Sequence, residues 1–216
     1  MTSPTQTDTT QKPFRTIFQE YSEMFVVAVI LAILIRAFLI QAFKIPSSSM
    51  EPTLLVGDHI LVNKFLYGIR IPFTTLRWPR FADPEPGDVI VFTYPEDRTK
   101  DFIKRVVAVG GDTVQIINKT LYVNGKPVTN PHAQYRDNRI LPGDVTPRDN
   151  MPPRKVPKDD LFVMGDNRDY SHDSRFWGYV PVEDVKGDAF LIYYSAGSFP
   201  GIGWEFRWSR IFSAIH

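Results

Sequence analysis

Residues 101–128 read DFIKRVVAVGGDTVQIINKTLYVNGKPV, and this segment predicts antiparallel β-structure. Its apolar runs are rich in Val, Ile, Phe and Tyr, the residues that strands favour. Gly110-Gly111 separates two of the runs, and Asn124-Gly125 is a strong signal for a two-residue hairpin turn. From residue 44 onward the chain is therefore predicted to be mainly β, as one antiparallel domain with a polar, proline-rich surface excursion at about 130–160. Further runs of the same kind occur at 58–65, 88–94 and 189–195.

The N-terminal region has a different composition. Residues 24–43 read MFVVAVILAILIRAFLIQAF, which as a helix would be ~30 Å long, enough for a bilayer core. A soluble helix would carry a polar stripe, and a cleaved signal peptide would have a shorter apolar run followed by small residues. We therefore predict a single uncleaved transmembrane helix over 24–43. The segment before it, residues 1–23, begins with Thr, Ser, Pro and Gln and is predicted to be disordered.

The overall composition excludes several classes of function. The 25 Lys and Arg residues nearly balance the 24 Asp and Glu residues, whereas a general nucleic-acid-binding protein carries a basic excess. The absence of Cys excludes disulfides, thiol catalysis and the usual zinc sites. A calcium loop beginning at Asp166 fails as well, because Arg168 and Tyr170 occupy two of its ligand positions. We therefore predict no nucleic-acid partner, no metal and no cofactor.

Three polar segments could carry chemistry: IPSSSMEPT (45–53), DFIKRVV (101–107) and GDNRDYSHDSRFWG (165–178). Taken singly, they are also compatible with a turn, with an edge strand that carries a snorkelling lysine, and with a solvated polar loop. Two ways of activating a nucleophile stay open. One is a Ser-His-Asp triad that uses one of the four histidines, and the other is a dyad in which Ser49 attacks and Lys104 is the base.

The adjacent cations Lys104 and Arg105 are unusual inside an apolar strand. Successive side chains point to opposite faces, so the sequence predicts one cation on each face of the sheet. If Lys104 is desolvated, burial lowers its pKa, and a nearby cation such as Arg105 would lower it further.

Together, these segments resemble the bacterial type I signal peptidases. The resemblance rests on S-M-x-P-T, I-K-R-V and G-D-N-R-D-x-S-x-D-S-R, and it covers about four fifths of the chain in the family's order. It runs through 38–65, 86–112, 161–181 and the closing SRIFSAIH, 209–216. It implies a membrane-anchored serine endopeptidase of mainly β fold, related to the β-ribbon fold of self-cleaving repressors. One departure is Ser48, where many members carry Gly and where a side chain restricts the backbone.

The resemblance also implies a role for individual residues. Ser49 is the nucleophile and Lys104 the general base, while the Ser47 hydroxyl and the backbone N–H of Ser49 form the oxyanion hole. Ser171 orients the lysine, and Gly165 permits close approach of the backbone. The implied supporting charge network consists of Arg105, Asp173 and Arg175. The implied pockets for the substrate are lined by Phe43, Ile45, Pro46, Met50, Leu54, Ile60, Val91, Phe102 and Ile103.

The implied partners are the signal peptides of exported preproteins, cleaved after small-x-small sites, and membrane lipid. The implied location is the bacterial inner membrane, as a monomer with a cytoplasmic N-terminus and an extracytoplasmic catalytic domain over 44–216. Residues 67–81 interleave Arg with aromatic residues and are a candidate for lipid contact, although an ordinary β-ribbon would explain them too. The alternative function is an inactive membrane scaffold of the same fold. A self-cleaving repressor is excluded, because it would need a DNA-binding domain in place of the anchor.

Overall fold

A computed structural model describes residues 14–68, 81–199 and 203–216, which form two compact units divided after Phe38. The disorder predicted for residues 1–13 and most of the lipid-contact candidate, residues 69–80, lie outside these ranges.

The N-terminal unit contains one helix, α1, at Phe14–Phe38. The disorder predicted for residues 14–23 is wrong, because apolar residues at positions 14, 17, 18 and 21 have helical spacing. The predicted helix boundary at residue 43 is also wrong, since Ile40–Lys44 forms strand β1 and pairs with β2, Asp58–Asn63. The sequence predicts a membrane span over 24–43. Among the residues described here, no helix is long and apolar enough to cross a membrane.

The second unit, Leu39–His216, is built from strands and short helical turns. After β1 and β2 come β3 Val89–Thr93, β4 Asp101–Val109, β5 Thr113–Ile117, β6 Thr120–Val123, β7 Lys126–Val128, β8 Met151–Lys155, β9 Asp160–Met164, β10 Val180–Pro181, β11 Val185–Phe199, β12 Gly203–Phe206 and β13 Ser213–Ala214. The short helices are α2 at Ser174–Trp177 and 3₁₀ turns at Arg168–Tyr170, Val182–Asp184 and Trp208–Arg210.

The strands form two antiparallel sheets, which confirms the predicted mainly β class. The larger has the order β1-β2-β11-β3-β4-β9-β10, with β12 and β13 also paired to β11, and the smaller has the order β7-β6-β5-β8. Asn124 and Gly125 both have positive φ between β6 and β7, as a type I′ turn requires.

The excursion predicted at about 130–160 is only partly a surface feature. Strand β8 pairs with β5, and Met151 and Val156 are buried in the core of the smaller sheet. The sequence signal was misleading because Pro152 and Pro153 suggest a loop, yet proline is tolerated on an edge strand such as β8.

Candidate active site

The three serines of residues 47–49 lie in a loop that is anchored in the core at both ends. Ile45 and Met50 are buried in one apolar cluster. The N–H of Ile45 donates to the Asp58 carbonyl oxygen at 2.8 Å, and the N–H of Leu54 donates to the Met50 carbonyl oxygen at 2.9 Å. Ser48 is half-buried and is not among the residues with positive φ, so a serine replaces glycine there without left-handed strain.

Lys104, on β4, reaches Ser49 in this loop. Its Nζ donates to Ser49 Oγ at 2.8 Å and to the Ile103 carbonyl oxygen at 2.9 Å, and it lies 5.4 Å from the ring centre of Phe102. Lys104 and Arg105 are both buried, at 4% and 3% exposure, so the lysine is desolvated rather than snorkelling from an edge strand.

Burial lowers the pKa of Lys104 to about 8. The carboxylates of Asp173 and Asp166 oppose this shift, and the guanidinium of Arg175 adds to it. The sequence-based expectation named Arg105 as the assisting cation, but Arg105 is paired with Asp166 instead. At pH 7, roughly one Lys104 side chain in ten is therefore neutral, against about one in 2,500 for a free lysine.

The histidine alternative has no support in the geometry. Within the described ranges, Lys104 is the one side-chain nitrogen that is hydrogen-bonded to Ser49 Oγ. His172 is exposed and lies against Phe176, and His59 packs on Tyr193 and Tyr194. The Ser47 Oγ lies 3.4 Å from Ser49 Oγ. Once Ser49 Oγ has bonded to the carbonyl carbon of a substrate, the Ser47 hydroxyl would be close enough to reach the oxygen on that carbon.

Two separate buried ion pairs support the dyad, whereas the resemblance implied a single charge network. Arg105 binds Asp166 through two hydrogen bonds of 2.8 and 2.7 Å, and Arg175 binds Asp173 through two of 2.8 Å. Arg175 holds the pKa of Asp173 below its usual value, although burial alone would raise it. Asp166 was missed as a site residue. Its position directly after Gly165 in the acidic segment was the available signal.

Gly165 and Ser171 lie against the nucleophile loop. A Cβ on Gly165 would come closer than 3.0 Å to Ser171 Oγ and to the Ser49 carbonyl oxygen. The expected bond from Ser171 to the lysine is absent, because the buried Ser171 Oγ has no hydrogen-bond partner in the part of the chain described. It lies near enough to Asp173 to help lower the pKa of that carboxyl, but the geometry does not amount to a hydrogen bond.

A small cavity of about 40 Å³ lies beside β4, the strand that carries Lys104. Met50 and Leu54, which were expected to line it, are instead buried in the core cluster. Asp101 and Lys44 were missed and contribute to its lining. The remaining lining residues were all expected from the sequence: Phe43, Ile45, Pro46, Ile60, Val91, Phe102 and Ile103. A larger cavity of about 320 Å³ lies elsewhere, lined among others by Pro131 and His132, and neither cavity is lined by Ser49 or Lys104 themselves.

Comparisons with a family model and with curated sequences agree on one family. A family model described as signal peptidase, peptidase S26, matches residues 18–194. The chain is 38% identical to Signal peptidase I of Pseudomonas fluorescens, with 82% of this chain and 72% of that protein covered. It is 40% identical to Signal peptidase I of Aquifex aeolicus, with 81% and 83% covered. A crystal structure of a signal peptidase I from Enterococcus faecalis aligns with 50% of this chain and 97% of that one, at 26% identity and a TM-score of 0.41.

Proposed function

The chain belongs to the signal peptidases of peptidase family S26, and from this we propose that it is a serine endopeptidase that removes signal peptides from preproteins through a Ser49-Lys104 dyad. The observation that carries the proposal is the 2.8 Å hydrogen bond between the buried Lys104 amine and Ser49 Oγ. An inactive scaffold has no observation in its favour, because the nucleophile and a base of lowered pKa are in contact.

The chemistry follows from this contact. Neutral Lys104 takes the proton of Ser49 as Oγ attacks the carbonyl carbon of the substrate, and the Ser49 N–H and the Ser47 hydroxyl stabilise the resulting oxyanion. When the C–N bond breaks, the Lys104 ammonium gives its proton to the leaving amine. Neutral Lys104 then removes a proton from water, which hydrolyses the Ser49 ester, and returns it to Ser49. A monomer suffices, because both groups come from one chain.

The small cavity gives this activity its specificity. It is small, at about 40 Å³, and is lined mainly by apolar side chains, so we expect it to accept a small side chain rather than a large one. An extended substrate presents alternate residues to one side, which suits a small-x-small cleavage site. Lys44 and Asp101 border the cavity at its rim, and Asp101 also pairs with Lys186 at 2.7 Å.

We expect a reporter preprotein with Ala before the cleaved bond to be processed, and the same preprotein with Phe there to be cleaved at least ~100-fold more slowly. Ile103→Ala enlarges the cavity and should restore cleavage after Val or Leu. Gel analysis with mass-spectrometric mapping of the new N-terminus measures both effects. Ser49→Ala is the negative control, and cleavage by that variant would contradict the proposed function.

We propose further that the protein is anchored in the bacterial inner membrane, with its N-terminus in the cytoplasm and the Leu39–His216 unit outside. The apolar sequence of residues 24–43 is the support for an anchor, and an extracytoplasmic site suits a substrate that is exposed after translocation. Phe206, Trp208 and Phe212 support lipid contact. They are 48%, 74% and 75% exposed, and the Phe206 and Trp208 rings stack at 5.5 Å beside Arg207.

Tryptophan quenching tests the lipid contact. In full-length protein reconstituted into vesicles with brominated lipid, replacing Trp208 with Phe should remove a quenched fraction of the fluorescence. Trp177→Phe is the matched control, because Trp177 packs against Phe92 and Tyr94 in the interior. Trp78→Phe tests the 67–81 candidate in the same assay. Equal quenching in the Trp208→Phe and wild-type proteins would contradict contact at the Phe206-Trp208-Phe212 patch.

A further inference from the structure

Asn167 donates hydrogen bonds to the carbonyl oxygens of Ser48 and Ser49 in the nucleophile loop. It follows strand β9 and is 1% exposed. Its backbone N–H donates to the Ser49 carbonyl oxygen at 3.1 Å, and its side-chain Nδ2 donates to the Ser48 carbonyl oxygen at 3.0 Å. In the part of the chain described, it makes no hydrogen bond to Ser49 Oγ or to the Lys104 amine, so its effect on the reaction has to pass through the backbone of the loop.

The Ser48 carbonyl matters because it shares a peptide plane with the N–H of Ser49. The peptide unit is planar and trans, so its C=O and N–H point in opposite directions. Fixing the direction of the Ser48 carbonyl therefore fixes the direction of the Ser49 N–H. That N–H makes no backbone hydrogen bond in the described structure, and it is the backbone donor of the proposed oxyanion hole.

We propose that Asn167 is a positioning residue that aims the Ser49 N–H at the oxyanion, a role that rests on the proposed function. The other end of its amide supports this, because Asn167 Oδ1 is buried and has no partner in the described ranges. A buried polar atom left unpaired is costly, so the side chain is held there for what its NH₂ group donates. The segment after β9 therefore helps to orient the backbone donor of the oxyanion hole.

The neighbouring chain holds Asn167 in turn. The N–H of Gln134 donates to the Asp166 carbonyl oxygen at 2.7 Å, and the N–H of Arg168 donates to the Gln134 carbonyl oxygen at 2.9 Å. These two bonds clamp the peptide units on both sides of Asn167. Part of the 130–160 excursion thus acts on the orientation of the active-site backbone.

Asn167→Ala should lower kcat by about 10- to 100-fold with KM nearly unchanged, somewhat less than the loss expected when an oxyanion-hole donor is removed outright. The midpoint of the pH profile should not move, because the contact between Lys104 and Ser49 is untouched. Combined with Ser47→Ala, the loss should be smaller than the product of the single losses, because both residues serve one oxyanion. The fold should survive, since the Ser48 carbonyl still accepts the Glu51 N–H at 3.1 Å.

Asn167→Asp is the second variant, because it keeps the size of the side chain but cannot donate to a carbonyl when ionised; we expect the same loss of kcat. The matched control is Asn150→Ala, which removes an amide that caps the Leu141 carbonyl at 2.9 Å in the excursion and should leave kcat unchanged. Wild-type kcat in both Asn167 variants, or a shifted pH midpoint, would overturn the positioning role. Ser49→Ala should be inactive whether or not Asn167 has this role. Activity in Ser49→Ala would refute the proposed function itself.

Discussion

Replacing Lys104 with Arg should reduce kcat/KM by roughly 10⁴-fold or more, because a guanidinium does not deprotonate in the working range and so cannot accept the Ser49 proton. The variant keeps the positive charge and much of the length of the side chain, so the loss reports the missing base. Ser49→Ala should be equally inactive, and the double variant no worse, because the two residues act as one unit.

The dependence of kcat/KM on pH tests the same role of Lys104 as the base. The active form is the neutral amine, so kcat/KM of the wild-type enzyme should rise with pH to a midpoint at about 8, the lowered pKa of Lys104, and then level off. Lys126→Arg is the control, because that lysine is exposed on β7 and its exchange should leave the profile unchanged. Substantial activity in Lys104→Arg would show that another residue is the base, with His172 the first to test.

Gly165→Ala should lower kcat/KM by about 100- to 1,000-fold. The new Cβ would lie closer than 3.0 Å to the Ser49 carbonyl oxygen and to Ser171 Oγ, so the backbone of the nucleophile has to move, and small displacements at a reacting centre cost ~100-fold. Overpacking of this kind also costs about 1–3 kcal/mol of stability. Hydrolysis assays together with urea unfolding measure both effects.

Gly125→Ala separates steric crowding from backbone strain. Gly125 has a φ of 76° in the β6–β7 turn and open space around its Cβ position. Alanine there should cost about 1 kcal/mol of stability, through the left-handed backbone alone, and leave kcat unchanged. If Gly165→Ala behaved like Gly125→Ala, with wild-type kcat, the close packing at Gly165 would have no catalytic role.

Features that depend on local chemistry could be predicted from the amino-acid sequence. The Val-, Ile-, Phe- and Tyr-rich runs between turn residues predicted the antiparallel strands, and Asn124-Gly125 predicted a turn whose two residues do have positive φ. The motifs around Ser49 and Lys104 singled out the pair that the structure brings within 2.8 Å. The resemblance to the signal peptidases also implied most of the cavity lining, seven of whose residues were named from it.

Contacts between residues far apart in the chain could not be predicted in this way, because they depend on the fold. Asp166 lies 61 positions from Arg105, and Asn167 lies 119 positions from Ser48, and no local pattern states which of several Asp or Asn side chains will be the partner. Pairing with β2 ended α1 at Phe38, although the apolar run continues to residue 43. In each case the outcome depends on strand register and core packing. These lower the free energy of the whole chain and outweigh the preference of any short segment.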